Sequence, residues 1–352
     1  MYRPGFLLLV AACSLAGQVA PVPSDPLELA TGPVQIADTA EARASILALL
    51  ERARQNNHLH APAGAPFDLK VSFTASGQTL YTGAGAMEEI FMSPGTWRWT
   101  AHLGDYSQTR IYYHGLAYDT NAHAYLPLRL QMVRSAIFWP VSGNLADMLI
   151  RIAPANWQGV PVTCALISGP RSEPSTLPGR RWQEEEYCID PKSGLLQTYS
   201  VAPGIYNVYD YSTALQFHGS TIAPQITVVE NGSPVLQVHI DTLQDAGSVD
   251  QSMFTPTAQM QSPGVVIRGP LRFPQFATSN TVAPGTIQPV IVHAVLDATG
   301  KVLEAESLQP SNGSLSDAAL QLVKNSNYGA YSSPRGVPLQ REVFINVQFQ
   351  GQ

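Results

Sequence analysis

Chemistry in a protein chain needs nucleophiles, acid–base pairs or ligand sets, and this chain holds few candidates for any of them. It has three cysteines. Two of them, Cys164 and Cys188, lie in "GVPVTCALISG" and "RRWQEEEYCID", on either side of the loop-like "PRSEPSTLPG". An antiparallel hairpin over this stretch would set them side by side. In an oxidising compartment such a pair forms a disulfide; the other reading is two buried free thiols. A loop of this length predicts a stabilisation of roughly 3 kcal/mol. Eight histidines are scattered along the chain. His58 and His60 flank Leu59 in a loop-like segment, a spacing that suits a metal, but no third ligand accompanies them. Glu184, Glu185 and Glu186 fall on an expected strand, where two of the three share a face, taken here as the solvent face. Neither a G-x-S-x-G elbow, a Walker A loop nor a G-x-G-x-x-G turn occurs. The expectation is a non-enzyme with no catalytic residue, cofactor or metal.

The elements that carry these residues follow from composition. The chain has 352 residues, of which only 13% are charged, with 27 Gly and 28 Pro. That suits short strands and turns, and the length suits two domains. A net charge of −6 and the lack of a basic stripe with aromatics exclude nucleic acid as the expected partner. Residues 1–20 read as an export signal: Arg3, then the apolar run Phe6 to Ala12. Three outcomes are open: cleavage near Ser14-Leu15-Ala16, a lipid anchor on Cys13 after the lipobox-like Val10-Ala11-Ala12, or an uncleaved anchor associating with a membrane. Each places the protein in the periplasm or cell envelope.

Residues 21–65 read as a Pro-rich tether and an amphipathic helix. Asp38 is its expected N-cap, with Glu41 three residues on, and Ala42, Ile46, Leu49, Leu50 and Ala53 form the face that docks on the next domain. Residues 66–258 alternate as short β-runs, with turns at Ser76-Gly77, Ser93-Pro94-Gly95, Gly104-Asp105 and Asn231-Gly232. Helical spacing interrupts them at 128–150. Residues 259–284 are rich in Pro, Ser, Thr and Gln and read as a linker. Residues 285–352 read as ββαβ: "PVIVHAVL", a turn at Asp297-Ala298-Thr299-Gly300, "KVLEAESL", a helix with Ser314 as N-cap and Asp317 in its first turn, then "REVFINVQFQ". The last strand alternates, with Phe344 as the exception. The fold class is therefore α+β: a curved antiparallel half-barrel-like domain with inserted helices, followed by a small ββαβ domain.

The pieces "LDATGKV", "LSDAAL", "NYGAY" and "RGVPLQREVFINVQF" together resemble the C-terminal domain of the TonB family over about the last 65 residues. Ser316 and Tyr328-Gly329-Ala330 depart from the family pattern. The resemblance implies β-strand addition: an envelope protein partner would pair with the backbone edge of Arg341 to Gln350, along Arg341, Val343, Ile345, Val347 and Phe349. It also implies a part in transmembrane transport. The other use of that edge is structural.

Residues 66–258 resemble, more weakly, the half-barrel of LolA- and LolB-type lipoprotein carriers. The matching pieces are "MEEIFMSPGTWRW" (87–99), central helices, "CIDPKSGLLQTYS" and "IAPQITVV". That resemblance implies an apolar groove for a lipid or acyl chain with helices as its lid. Trp97, Trp99, Tyr112, Tyr113 and Trp139 are the candidate lining, with plain core as the other reading. The leading expectation is thus a periplasmic protein-binding module working by strand pairing. Its rivals are a lipid or lipoprotein carrier, which requires a continuous groove, and a hydrolase, which requires polar residues converging in a pocket.

Overall fold

The computed structural model describes residues 30, 32–57, 59–60, 64–120, 125–138, 140–141, 143–260, 266–308, 313–334 and 336–352. The export signal, Cys13, His58 and Trp139 lie outside these residues.

After a short strand β1 (Gln35–Ile36) comes the helix α1 (Ala40–Asn57). Its cap is Thr39 rather than Asp38: the Thr39 hydroxyl accepts the Ala42 N–H at 3.2 Å. Ile46, Leu49, Leu50 and Ala53 are buried, as the 3.6-residue spacing predicts. An antiparallel meander follows: β2 (Phe67–Ala75), β3 (Gly83–Ser93), β4 (Thr96–Leu103), β5 (Tyr106–Tyr113) and β6 (Leu116–Asp119). In β2, Phe67, Leu69, Val71, Phe73 and Ala75 are all buried and their neighbours mostly are not, so one face is core. The helix α2 (Leu128–Phe138) interrupts the strands. They resume as β7 (Leu149–Trp157), β8 (Val160–Ser168), β9 (Glu185–Ile189), β10 (Leu196–Ala202) and β11 (Ile205–Asp210). A small hairpin, β12 (Leu215–Phe217) with β13 (Ser220–Ile222), precedes β14 (Gln225–Glu230) and β15 (Ser233–Asp245). The β14–β15 turn has positive φ at both Asn231 and Gly232, the backbone that a two-residue hairpin needs.

These strands form one open sheet in the order β1-β7-β8-β9-β10-β11-β14-β15-β2-β3-β4-β5-β6. β15 closes back on β2, so the chain's two halves meet in mid-sheet. α1 and α2 pack into the same apolar core as the sheet's inner face. Cys164 and Cys188 face each other across β8 and β9 and are joined as a disulfide.

The C-terminal unit has the expected ββαβ order: β17 (Ile287–Leu296), β18 (Val302–Ser307), α3 (Ser314–Lys324) and β19 (Leu339–Gly351). Ser314 starts the helix instead of capping it; Gly313 holds the cap position and no side chain caps the end. The stretch expected as a linker contains a strand, β16 (Val266–Pro284), paired in parallel along β19. The small sheet runs β16-β19-β17-β18. β19 is therefore an inner strand, with β17 on one side and β16 on the other. The free edge expected at Arg341, Val343, Ile345, Val347 and Phe349 is already filled by the chain itself. Val343, Ile345, Val347 and Phe349 pack with Leu315, Ala319 and Val323 under α3. Phe344, the break in the alternation, lies on the opposite face and joins the core of the large domain with Ile291, Val295 and Leu308. The inner strands β17 and β19 thus bury residues on both faces, toward α3 on one side and toward the large domain on the other.

Candidate functional site

The inner face of the large sheet is where a groove was expected, and α2 packs against it. Every residue of α2 from Leu128 to Phe138 is buried except Ser135. Leu128, Leu130, Met132, Val133, Ala136, Ile137 and Phe138 share one cluster with the wall residues Phe67, Leu69, Phe91, Trp99, Val228 and Leu236. Tyr209 on β11 donates its hydroxyl proton to the Ala136 carbonyl at 3.2 Å.

Of the expected groove residues, Trp97, Trp99 and Tyr112 lie toward α2. Trp97 and Tyr112 are register partners on β4 and β5, and their rings stack 5.2 Å apart. Trp99 is buried, with the Arg134 guanidinium 4.9 Å from its ring centroid. Tyr113 falls on the other face, as strand alternation requires.

Two arginines of α2 are buried in this apolar setting. Arg134 Nη1 donates to Glu89 on β3 at 2.6 Å, and His60 Nε2 lies 2.6 Å from the other oxygen of Glu89. Burial works against ionising Glu89, but Arg134 and His60 together hold its carboxyl below the usual range. The His60 ring stacks on Phe91 and Phe138 at 4.6 and 4.3 Å. Arg129 is held more elaborately. Its Nε donates to the Ser76 carbonyl at 3.0 Å, Nη1 to Glu230 at 2.8 Å and Nη2 to Glu306 at 2.8 Å. Gly77 lies against the guanidinium: a Cβ there would sit 2.4 Å from Nη2, and its φ is +108°.

Glu306 belongs to β18, so Arg129 joins α2 to the C-terminal unit. His293 on β17 continues the chain of charge: Nδ1 is 3.2 Å from Glu230 and Nε2 is 2.7 Å from Glu342 on β19. Phe344 stacks on its ring at 4.4 Å. Burial disfavours the imidazolium, yet the two carboxylates outweigh it and raise His293 to about 9. Burial opposes ionisation of Glu230 too, but His293 and Arg129 bring it down to about 2. Burial and the neighbouring Glu230 charge push Glu306 up to about 8. Its Oε1 is buried without a partner in the geometry, where a proton shared with Glu230 would satisfy it. Glu230, His293 and Glu306 offer donor atoms within 4.8 Å of one another, but Arg129 already stands there as the cation.

The glutamates expected on a solvent face are in fact interior. Glu184 forms a two-point pair with Arg151 at 2.7 and 2.6 Å, and Glu186 lies 3.8 Å from Arg180. Arg151 also donates to the Leu177 and Gly179 carbonyls, so this pair anchors the loop between the disulfide strands. A surface cleft of about 510 Å³, lined by Glu51, Arg52, Arg54, Leu59, His218 and Ser220 among others, lies at the end of α1.

No family model matches the chain, and no curated protein matches it. Among solved structures it is similar to a LolA-superfamily protein from Nitrosomonas europaea, with TM-score 0.38 and 10% identity over 59% of this chain and 96% of that one. It is similar to a DUF1329-family protein from Desulfovibrio piger, with TM-score 0.37 and 10% identity over 60% of this chain and 97% of that one. It is also similar to MucB, with TM-score 0.26 and 14% identity over 64% of this chain and 66% of that one. None of these three is described as a TonB protein.

The sequence missed the Arg129 cluster entirely. Its members come from α2, β14, β17, β18 and β19, and no local spacing links them. The one signal present was a charged residue at apolar helical spacing, Arg129 and Arg134 within "LRLQMVRSAIF".

Proposed function

We propose that the protein is a non-enzymatic carrier in the periplasm or cell envelope that holds an acyl chain or similar apolar lipid against the concave face of the large sheet. In the unloaded state α2 occupies that place. The observation that carries this reading is the burial of Arg129 and Arg134 on a helix otherwise fit for a permanent core. A buried ion pair is commonly no more stabilising than well-packed apolar residues of the same volume, because both charges lose their water. A helix that must leave the core periodically has a use for such charges, since they regain hydration on leaving. The apolar wall of Phe67, Leu69, Phe91 and Leu236 then becomes the lining for an alkyl chain. The Cys164–Cys188 bridge and the signal-like N-terminus support an exported location.

The probe is cis-parinaric acid, a fatty acid that fluoresces when shielded from water. The full chain is expected to bind it saturably, with oleate competing. A variant combining Arg134→Met and Glu89→Met, which replaces this buried ion pair by apolar contact and leaves the Arg129 contacts in place, is expected to bind about ten-fold or more weakly. No saturable binding across the pH range of stability, or binding equal in the variant, would overturn the reading.

A further inference from the structure

The C-terminal unit grips α2 at its first turn, through side chains of two different strands. Glu304 of β18 accepts the Leu128 N–H at 3.4 Å, in the position that favours a carboxylate at a helix N-terminus. The same Glu304 accepts the Leu80 N–H at 3.4 Å from the β2–β3 connection. Gln340 of β19 pairs with Leu126 as a backbone strand would: its Oε1 accepts the Leu126 N–H at 2.9 Å and its Nε2 donates to the Leu126 carbonyl at 2.8 Å. Glu306 then takes Arg129. These contacts, and not a chain connection, tie α2 to residues 176 or more positions away in sequence.

The seam between the two parts is a closed charge cluster. The large domain supplies Arg129 from α2 and Glu230 from β14; the C-terminal unit supplies His293, Glu306 and Glu342. Further along the same seam lie Tyr199 of β10, Glu185 of β9 and Arg272 of β16, with Arg272 donating to the Val201 carbonyl. With one proton on Glu306, two cations face two carboxylates and the buried charge balances. Without it, a third carboxylate is buried with no cation of its own.

Resting on the reading of α2 as the movable occupant of the concave face, we propose that the C-terminal unit is a proton-controlled latch: it holds α2 in place while the Glu230–Glu306 pair shares a proton, and undocks when that proton is lost.

The sign follows from what undocking separates. Release parts His293, Glu306 and Glu342 from Glu230 and Arg129 and returns all of them to water. The closed seam raises Glu306 from 4.5 to about 8 and His293 from 6.5 to about 9. Both groups bind protons more tightly when closed, so closure is favoured at low pH. The contribution of Glu306 is lost progressively from about 4.5 to about 8, and that of His293 from about 6.5 to about 9. Glu230 runs the other way and protects the seam above about 4.5. Alkali therefore opens the latch.

The test is hydrogen exchange in the full chain, read on the α2 amides of residues 130–137 and corrected for intrinsic rates. The open population is expected to rise at least about ten-fold from about pH 6 to about pH 8. In Glu306→Gln, which keeps the shape and cannot ionise, this rise is expected to shrink to the smaller part carried by His293. His293→Gln is a second variant, expected to reduce the slope. Equal α2 exchange at both pH values, or an unchanged slope in both variants, would overturn the latch. Binding of cis-parinaric acid by the same samples separates the two proposals. Opening with alkali but no probe binding at either pH removes the carrier and leaves the latch. Probe binding while α2 exchange is pH-independent removes the latch and leaves the carrier.

Discussion

Arg134 and Glu89 test, at the scale of single residues, what a charge does inside this core. Each is buried, and each loses its partner if the other is removed. Arg134→Met is expected to destabilise the fold by about 3 kcal/mol, because Glu89 keeps its charge with only His60 beside it. Adding Glu89→Met is expected to recover that loss and to exceed it by about 1 kcal/mol or more. Urea unfolding of the four members of this cycle gives the coupling directly; a double variant as unstable as the single one would mean that packing shape, not charge, decides the site. Neither partner could be paired from the sequence. Glu89 lies on a strand and Arg134 on a helix 45 residues later, and only the packing of α2 on the sheet brings them together.

The hairpin of β8 and β9 was legible as an element, and for a local reason. Two β-branched or aromatic runs flank a Pro- and Ser-rich loop, so antiparallel pairing sets the cysteines opposite each other. With a sequence separation of 24, replacing both by Ala is expected to lower unfolding free energy by about 3 kcal/mol, measured by urea denaturation under non-reducing conditions. A loss below about 1 kcal/mol would mean that the Arg151–Glu184 anchor holds the loop by itself. β16 was illegible by the same rules. Pro270, Pro274 and Pro284 argue against a strand, yet proline is tolerated on an edge where its missing N–H is not needed. The burial pattern shows the alternation after the fact: Phe273, Gln275 and Ala277 are half-buried, while Pro274, Phe276 and Thr278 are exposed.

On the scale of the whole molecule, stability and pH are joined through the seam. His293 stabilises the docked form fully below about pH 6.5 and loses its effect as pH rises through about 9. Glu306 acts in the same direction at lower pH. The urea midpoint of the full chain is expected to fall from about pH 6 to about pH 9, and the fall is expected to be shallower in Glu306→Gln. A midpoint that rises over this range would contradict the account of the seam.

The amino-acid sequence by itself determined what depends on neighbours along the chain: the meander of alternating strands, the α1 face, the Asn231-Gly232 and Asp297–Gly300 turns, the cysteine pair and the ββαβ order of the C-terminal unit. Period, turn chemistry and β-branching act over a few residues, so a linear reading can see them. The tertiary structure alone decided that α2 packs on the inner face of the large sheet, that β16 completes the small sheet, and that β17 and β19 bury residues on both faces. It also brought Arg129, Glu230, His293, Glu306 and Glu342 to one point. Those outcomes depend on which surfaces meet, and a buried carboxylate looks the same in sequence as a solvated one until the opposing charge is in place.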